Sequence, residues 1–243
     1  MYPTLVRIGN FEITTFGALV ALGALIGLWV FARELKRSGL PSEGVDAALA
    51  GVIGGMVGAK LFWAIEFRNE APFLSLLLSR GGLSWFGGFF GGVATGLWML
   101  RRQRIPLVAA LAAAAPALAI GHALGRIGCF LVGDDYGKPT SVPWGVAFPQ
   151  GLPPTDVPVH PTQLYESAGL GVIAWILIRW RRAGVPSAVV FGRYVMMAGG
   201  LRFLIEFVRV NRPVAGPLTL AQLFALGLMG IGVAIVLRLK EDD

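Results

Sequence analysis

Arg126 closes an apolar, uncharged stretch, inside the run Gly121-His122-Ala123-Leu124-Gly125-Arg126-Ile127-Gly128-Cys129-Phe130-Leu131-Val132-Gly133-Asp134-Asp135-Tyr136-Gly137. A charge is costly in a bilayer, so an arginine there marks a site or a partner. The flanking glycines let the backbone approach something closely. Together they predict an anion-binding site at a membrane surface. His122 and Arg126 are spaced i, i+4 and share a helix face, as do Arg202 with Glu206 and Gln163 with Ser167. Two arginines gathered with carboxylates at one leaflet would hold a lipid phosphate, because the guanidinium fork matches phosphate oxygens. The plainer readings are a helix-end ion pair for Arg202–Glu206 and snorkelling for Arg126. His122 can serve as a general base near neutral pH, or as a hydrogen-bonded packing residue. His160, before Pro161, reads as structural. Cys129 reads as a small packing residue rather than a nucleophile, since apolar surroundings disfavour its thiolate.

The elements that must position these groups are membrane helices. The chain has 243 residues, 55% hydrophobic and 14% charged, with a mean hydropathy of +0.68. Soluble domains carry about 25% charged residues, so an integral membrane protein is expected, as one bundle over residues 1–243. A spanning helix needs about 20 apolar residues. Seven such segments are expected, near 14–33, 44–66, 82–100, 105–125, 163–180, 187–208 and 216–238. The N-terminus lacks the pattern of a removable signal peptide, so the first helix is expected to act as an uncleaved insertion signal.

Orientation follows the Lys/Arg bias. Arg33, Lys36, Arg37, Arg101, Arg102, Arg104, Arg179, Arg181, Arg182, Arg238 and Lys240 fall on one side. Arg7, Arg68, Arg80, Arg126, Lys138, Arg209 and Arg212 fall on the other, eleven against seven. The first side is expected to be cytoplasmic, with the N-terminus outside and the C-terminus inside. The net charge of +7 comes from these helix-end clusters, which suit anionic lipid heads and form no nucleic-acid-binding domain. Glycines at Gly51, Gly54, Gly55 and Gly58, and at Gly87, Gly88, Gly91, Gly92 and Gly96, predict close packing of the second and third helices, or room for a lipid beside the third. The segment 131–162 is an outer loop with seven prolines, which exclude a helix there. It ends at Pro161 or Thr162, where the fifth helix starts with Glu166 expected in its first turn. No zinc-type ligand spacing occurs, and neither metal nor cofactor is expected.

Three segments carry a resemblance: Gly125-Arg126-Ile127-Gly128 with Phe130, Gly133 and Gly137; His160-Pro161-Thr162-Gln163-Leu164-Tyr165-Glu166; and Arg202-Phe203-Leu204-Ile205-Glu206-Phe207-Val208-Arg209. A fourth is Gly81-Gly82-Leu83-Ser84-Trp85-Phe86-Gly87-Gly88. In this order the chain resembles the bacterial phosphatidylglycerol–prolipoprotein diacylglyceryl transferases over about residues 14–238. The resemblance implies seven spans with the N-terminus outside, in the bacterial inner membrane. It implies transfer of diacylglyceryl from phosphatidylglycerol to the lipobox cysteine in the signal peptide of an exported prolipoprotein, with glycerol phosphate leaving. Arg126 and Arg202 match arginines tied to activity and phosphate binding. Gly133, Asp134, Gly137, Ser84 and Gly87 are implied in binding the lipid. Glu206 and Arg209 match the last charged cluster, and His160, Gln163, Tyr165 and Glu166 form a structural motif. Three positions depart from the family pattern: Phe86 replaces a histidine proposed as the base, Phe16 a tyrosine, and Cys129 an asparagine. His122 is therefore the candidate base, with a purely arginine-assisted thiol as the alternative. Two other classes stay open, a homologue that binds phospholipid or peptide without this catalysis or with another acceptor, and an anion transporter.

Overall fold

The computed structural model describes residues 3–9, 11–79 and 81–238, without the side chains of Ile8 and Phe11. Arg80 and Lys240, counted in the charge bias, lie outside the described residues. A hairpin of β1 (Thr4–Ile8) and β2 (Phe11–Thr14) leads into α1 (Thr15–Arg37) and α2 (Gly44–Glu66). After the short α3 (Phe73–Leu78) come α4 (Trp85–Arg102) and α5 (Leu107–Val132). A second hairpin, β3 (Val146–Phe148) with β4 (Thr155–Val159), precedes α6 (Thr162–Arg182) and α7 (Ser187–Glu206). A third, β5 (Pro213–Ala215) with β6 (Leu218–Thr219), precedes α8 (Leu220–Arg238). The fold is thus mostly helical rather than all-α; the three antiparallel pairs are too short to leave a hydrophobic period in the sequence.

Seven of the described helices have 18 residues or more, one at each expected segment. Five of them, α1, α2, α5, α7 and α8, are long and apolar enough to cross a membrane. The other two fall short on composition: α4 is diluted by glycine and ends in Arg101 and Arg102, and α6 carries Gln163, Glu166 and three arginines at its end. Helix α5 runs to Val132, past the expected end near 125. It stops at a glycine cap: Gly133 has φ +75°, its N–H reaches the carbonyl of Phe130 at 3.2 Å, and the N–H of Asp134 reaches that of Cys129 at 3.1 Å. These two bonds make the Schellman closure.

The chain divides into two compact units, residues 31–110 and residues 1–30 with 111–243. In the first, α2 and α4 meet backbone to backbone. A Cβ on Gly91 would lie 2.5 Å from the carbonyl oxygen of Gly54, and one on Gly92 3.0 Å from that of Gly51. Gly58 and Gly87 face each other's carbonyls in the same way, which confirms the close-packing expectation. Thr95 donates to the carbonyl of Ala50 across the contact at 2.9 Å. At one end, Lys60 Nζ donates to the carbonyls of Ser79 (2.8 Å) and Gly81 (2.5 Å) and stands 4.7 Å over the Trp63 ring.

In the second unit, α6 and α7 bury Ile173, Ala174, Leu177 and Val190 against Ala112, Ala115 and Ala119 of α5. Helix α1 approaches α5 where a Cβ on Gly23 would be 3.0 Å from the carbonyl of Gly121. Phe16 covers Gly128, so even a methyl there would meet the ring at 3.2 Å. At the start of α8, Thr219 and Gln222 form a reciprocal capping box, with bonds of 3.1 and 3.3 Å.

Candidate functional site

Three helix ends and one turn assemble a charged cluster in the second unit. Helix α5 contributes His122, Arg126 and Cys129 from one face of its last three turns. Helix α6 contributes Gln163, Glu166 and Ser167, and helix α7 contributes Arg202 and Glu206, with Arg209 just beyond. The turn after α5 contributes Asp134 and Asp135.

Arg126 is the hub. Its Nε lies 2.9 Å from Glu166 and its Nη1 lies 2.8 Å from Asp135; Nη1 also approaches the Cys129 sulfur at 3.6 Å. Arg126, Glu166 and Glu206 are all buried, and buried charges persist only when paired. Arg202 pairs with Glu206 at 2.7 Å. The other Glu206 oxygen accepts from Thr219 at 2.7 Å and Asn211 at 2.6 Å. Arg209 joins the two halves, 3.9 Å from Glu206 and 2.7 Å from Asp135. Three arginines therefore alternate with three carboxylates. Four guanidinium nitrogens, Arg126 Nε and Nη2, Arg202 Nη1 and Arg209 Nε, are buried without a hydrogen bond, and of these Arg126 Nη2 and Arg202 Nη1 face no carboxylate of an ion pair either. Groups of that kind are rarely left unsatisfied, and both sit on forks suited to an anion.

Asp135 has φ +59°, a left-handed conformation that Asp and Asn tolerate better than most residues. Its carbonyl is pinned by Arg209 at 3.0 Å and Thr162 at 2.9 Å. Burial works against its charge, yet Arg209 and then Arg126 hold its carboxyl below the ordinary carboxylate value. Burial pushes the Asp134 carboxyl the other way, upward, with the Asp135 charge adding to it against the pull of the Cys129 thiol and the arginines. The Asp134 carbonyl accepts from Gln163 at 2.5 Å. The ligand atoms of Cys129, Asp134 and Asp135 lie within 4.8 Å of one another. The Arg126 guanidinium already occupies that corner with positive charge, which opposes a cation there.

The expected residues divide by place. His122, Arg126, Gly133, Asp134, Gly137, Glu166, Arg202, Glu206 and Arg209 belong to the unit that holds the cluster, while Ser84 and Gly87 belong to the other. Glu166 is one turn inside α6, not in its first turn, because the helix starts at Thr162; it serves Arg126 rather than the helix dipole. His122 Nε2 is 3.6 Å from Glu166, an ion-pair approach too long for a hydrogen bond. Gly137 is walled in, since a Cβ would meet the Val208 carbonyl at 2.5 Å and Thr162 at 2.8 Å. His160 meets the Tyr165 hydroxyl at 3.3 Å, which also accepts from Trp144 at 2.7 Å. The sequence places Asp135 only among the charges at the outer face, with no role of its own, and gives Asn211 and Thr219 none. The Thr-x-x-Gln spacing before α8 was a readable signal for Thr219 and Gln222; nothing local marked Asn211.

The sequence matches the family model for prolipoprotein diacylglyceryl transferase over residues 3–238. Relatives include the phosphatidylglycerol–prolipoprotein diacylglyceryl transferase of Geobacter sulfurreducens, 32% identical over 98% of this chain and 96% of that protein. The enzymes of the same name from Clostridium tetani (31%, covering 97% and 96%) and Nitratidesulfovibrio vulgaris (32%, covering 97% and 93%) are similar to the same extent.

Proposed function

The chain belongs to the prolipoprotein diacylglyceryl transferase family, and from that premise we propose how its charged cluster performs the transfer. The protein is a membrane transferase of lipoprotein biogenesis that moves diacylglyceryl from phosphatidylglycerol to a prolipoprotein. The acceptor is the lipobox cysteine of the prolipoprotein signal peptide. Its thiol gives up a proton and the sulfur attacks the glycerol carbon of the lipid. The carbon–oxygen bond to phosphate breaks, a thioether forms, and the electron pair leaves with glycerol phosphate. The phosphodiester carries one negative charge and the departing monoester two, so positive donors at the phosphate lower the barrier.

The observation that carries this reading is the pair of buried, acceptorless nitrogens on Arg126 and Arg202. We assign both arginines to the phosphate. Glu166, Glu206 and Arg209 are positioning residues: Glu206 is committed to Arg202, Thr219 and Asn211. Gly133 and Gly137 fix the turn that carries Asp134 and Asp135. Ser84 and Gly87 are assigned to the lipid on the family resemblance. His122 is assigned as the base that takes the thiol proton, with Glu166 beside it to stabilise the imidazolium. The whole chain is read as one domain of seven spans in the bacterial inner membrane, with the N-terminus outside, a proline-rich outer loop, and the cluster toward the outer leaflet.

The test uses purified protein in detergent with phosphatidylglycerol and a lipobox peptide, followed by mass spectrometry. A diacylglyceryl mass gain on the peptide cysteine is expected, lost in Arg126→Ala and weakened in Arg126→Lys. Folded wild-type protein that gives no gain with several lipobox peptides would overturn the assignment. For His122, the rate of His122→Ala across pH is the check. An unchanged rate and profile remove it from the mechanism.

A further inference from the structure

We propose that Asp135 sets the charge of the phosphate site, so that a singly charged phosphodiester is held and a doubly charged phosphomonoester is released. The inference rests on the phosphate assignment of Arg126 and Arg202 above. Asp135 bridges Arg126 (2.8 Å) and Arg209 (2.7 Å) with its two oxygens. Its side chain is 49% exposed, against 9% for Arg126 and 10% for Arg209, so a ligand reaching Arg126 arrives alongside the carboxylate. The charge cannot withdraw with the backbone, because the Asp135 carbonyl is held by Arg209 and Thr162. Glu166 and Glu206, the other two carboxylates paired with these arginines, are buried and committed to them.

The ion-paired groups of the cluster sum to zero with Asp135 charged: Arg126, Arg202 and Arg209 against Asp135, Glu166 and Glu206, with Asp134 outside that paired set. Neutralising Asp135 leaves an excess of one positive charge. A neighbouring negative charge repels a dianion about twice as strongly as a monoanion at the same distance. Removing it therefore favours the monoester over the diester, and the reaction converts the second into the first. Asp135 is a specificity residue acting on product release as well as on lipid binding.

The test is Asp135→Asn, which keeps the backbone acceptor and suits the left-handed conformation. Calorimetric titration of the protein in detergent with glycerol phosphate (monoester) and glycerophosphoglycerol (diester) reads the charge discrimination directly. The variant is expected to bind the monoester on the order of tenfold more tightly and the diester on the order of threefold. Equal gains for the two ligands, no gain, or no binding of either ligand to either protein would overturn the proposal. The transfer assay on the same preparations separates the two readings. Wild-type protein that transfers nothing while the discrimination shifts sinks the transferase assignment alone. Transfer with an unshifted discrimination sinks the role of Asp135 alone.

Discussion

The α2–α4 contact and the charged cluster hold their helices together by opposite means. Between α2 and α4 glycine faces glycine, and carbonyls stand where side chains would be, with Thr95 bonding across. In the cluster, side chains committed to partners on other elements tie α5 to α6, the turn after α5 to Arg209 beyond α7, and the end of α7 to Thr219. The first contact depends on the absence of atoms, the second on the completeness of a set of charges. Each therefore fails by a different kind of substitution, one by addition and the other by subtraction.

Subtraction at the cluster has the largest expected effect. Glu206→Ala removes the partner of Arg202 and the acceptor of Thr219 and Asn211. Leaving the half-buried Arg202 unpaired and the buried Thr219 donor orphaned costs about 3–5 kcal/mol together, measurable as loss of monodisperse protein or a fall in Tm in detergent. Addition at the helix contact comes next. Gly91→Val drives a side chain into the Gly54 carbonyl and the Gly58 backbone, which have no rotamer to relieve it. Overpacking of this kind costs about 1–3 kcal/mol or more. The same measurement checks it, and a variant as stable as wild type would show that the helices can slide apart.

A smaller effect comes from pH. The folded Asp135 carboxyl lies below its ordinary value of 3.8, so its contribution to stability is fully present above that value. It is lost as pH falls through the lower folded value. The Tm difference between wild type and Asp135→Asn should therefore be present at neutral pH and shrink below about pH 4. A difference that stays constant down to acid pH would place the effect of Asn outside the ion pair. The smallest effect is expected at Gly125, where a Cβ would meet no atom within 4 Å. Gly125→Ala should change stability by less than about 1 kcal/mol, in the favourable direction that helix propensity gives. It sits one residue from Arg126, so lost activity with retained stability would place a ligand in that open space.

The two regions were not equally legible. The glycine repeat announced the α2–α4 contact because small residues at helical spacing have few other uses in a membrane. Arg126, Arg202 and Glu206 were legible for the same reason: charges among apolar residues stand out. The partners were harder. Arg126 was expected near a helix end, but pairing with Glu166 and Asp135 lets α5 continue to Val132. The cap that stops it depends on Gly133 in the left-handed region, and only that turn aims Asp135 back at the arginines. No local spacing encodes a side chain's direction after such a turn. The three hairpins were missed because two to five residues per strand show no clear alternation.

Gly137 carries one more consequence. Its N–H binds the His160 carbonyl at 2.9 Å, while that of Lys138 binds the Val208 carbonyl at 2.7 Å. The chain after α5 is thereby tied to the start of α6 and the end of α7 within a few residues. Leu152 returns to the Gly133 carbonyl at 2.9 Å, so the far side of the loop is tied as well. Residues 133–139 thus act as a ruler. A residue gained or lost there would shift Gly137 out of its slot and carry Asp135 out of register with Arg209. Evolutionary length changes in this family are expected to collect between 140 and 158 and to spare that short measure.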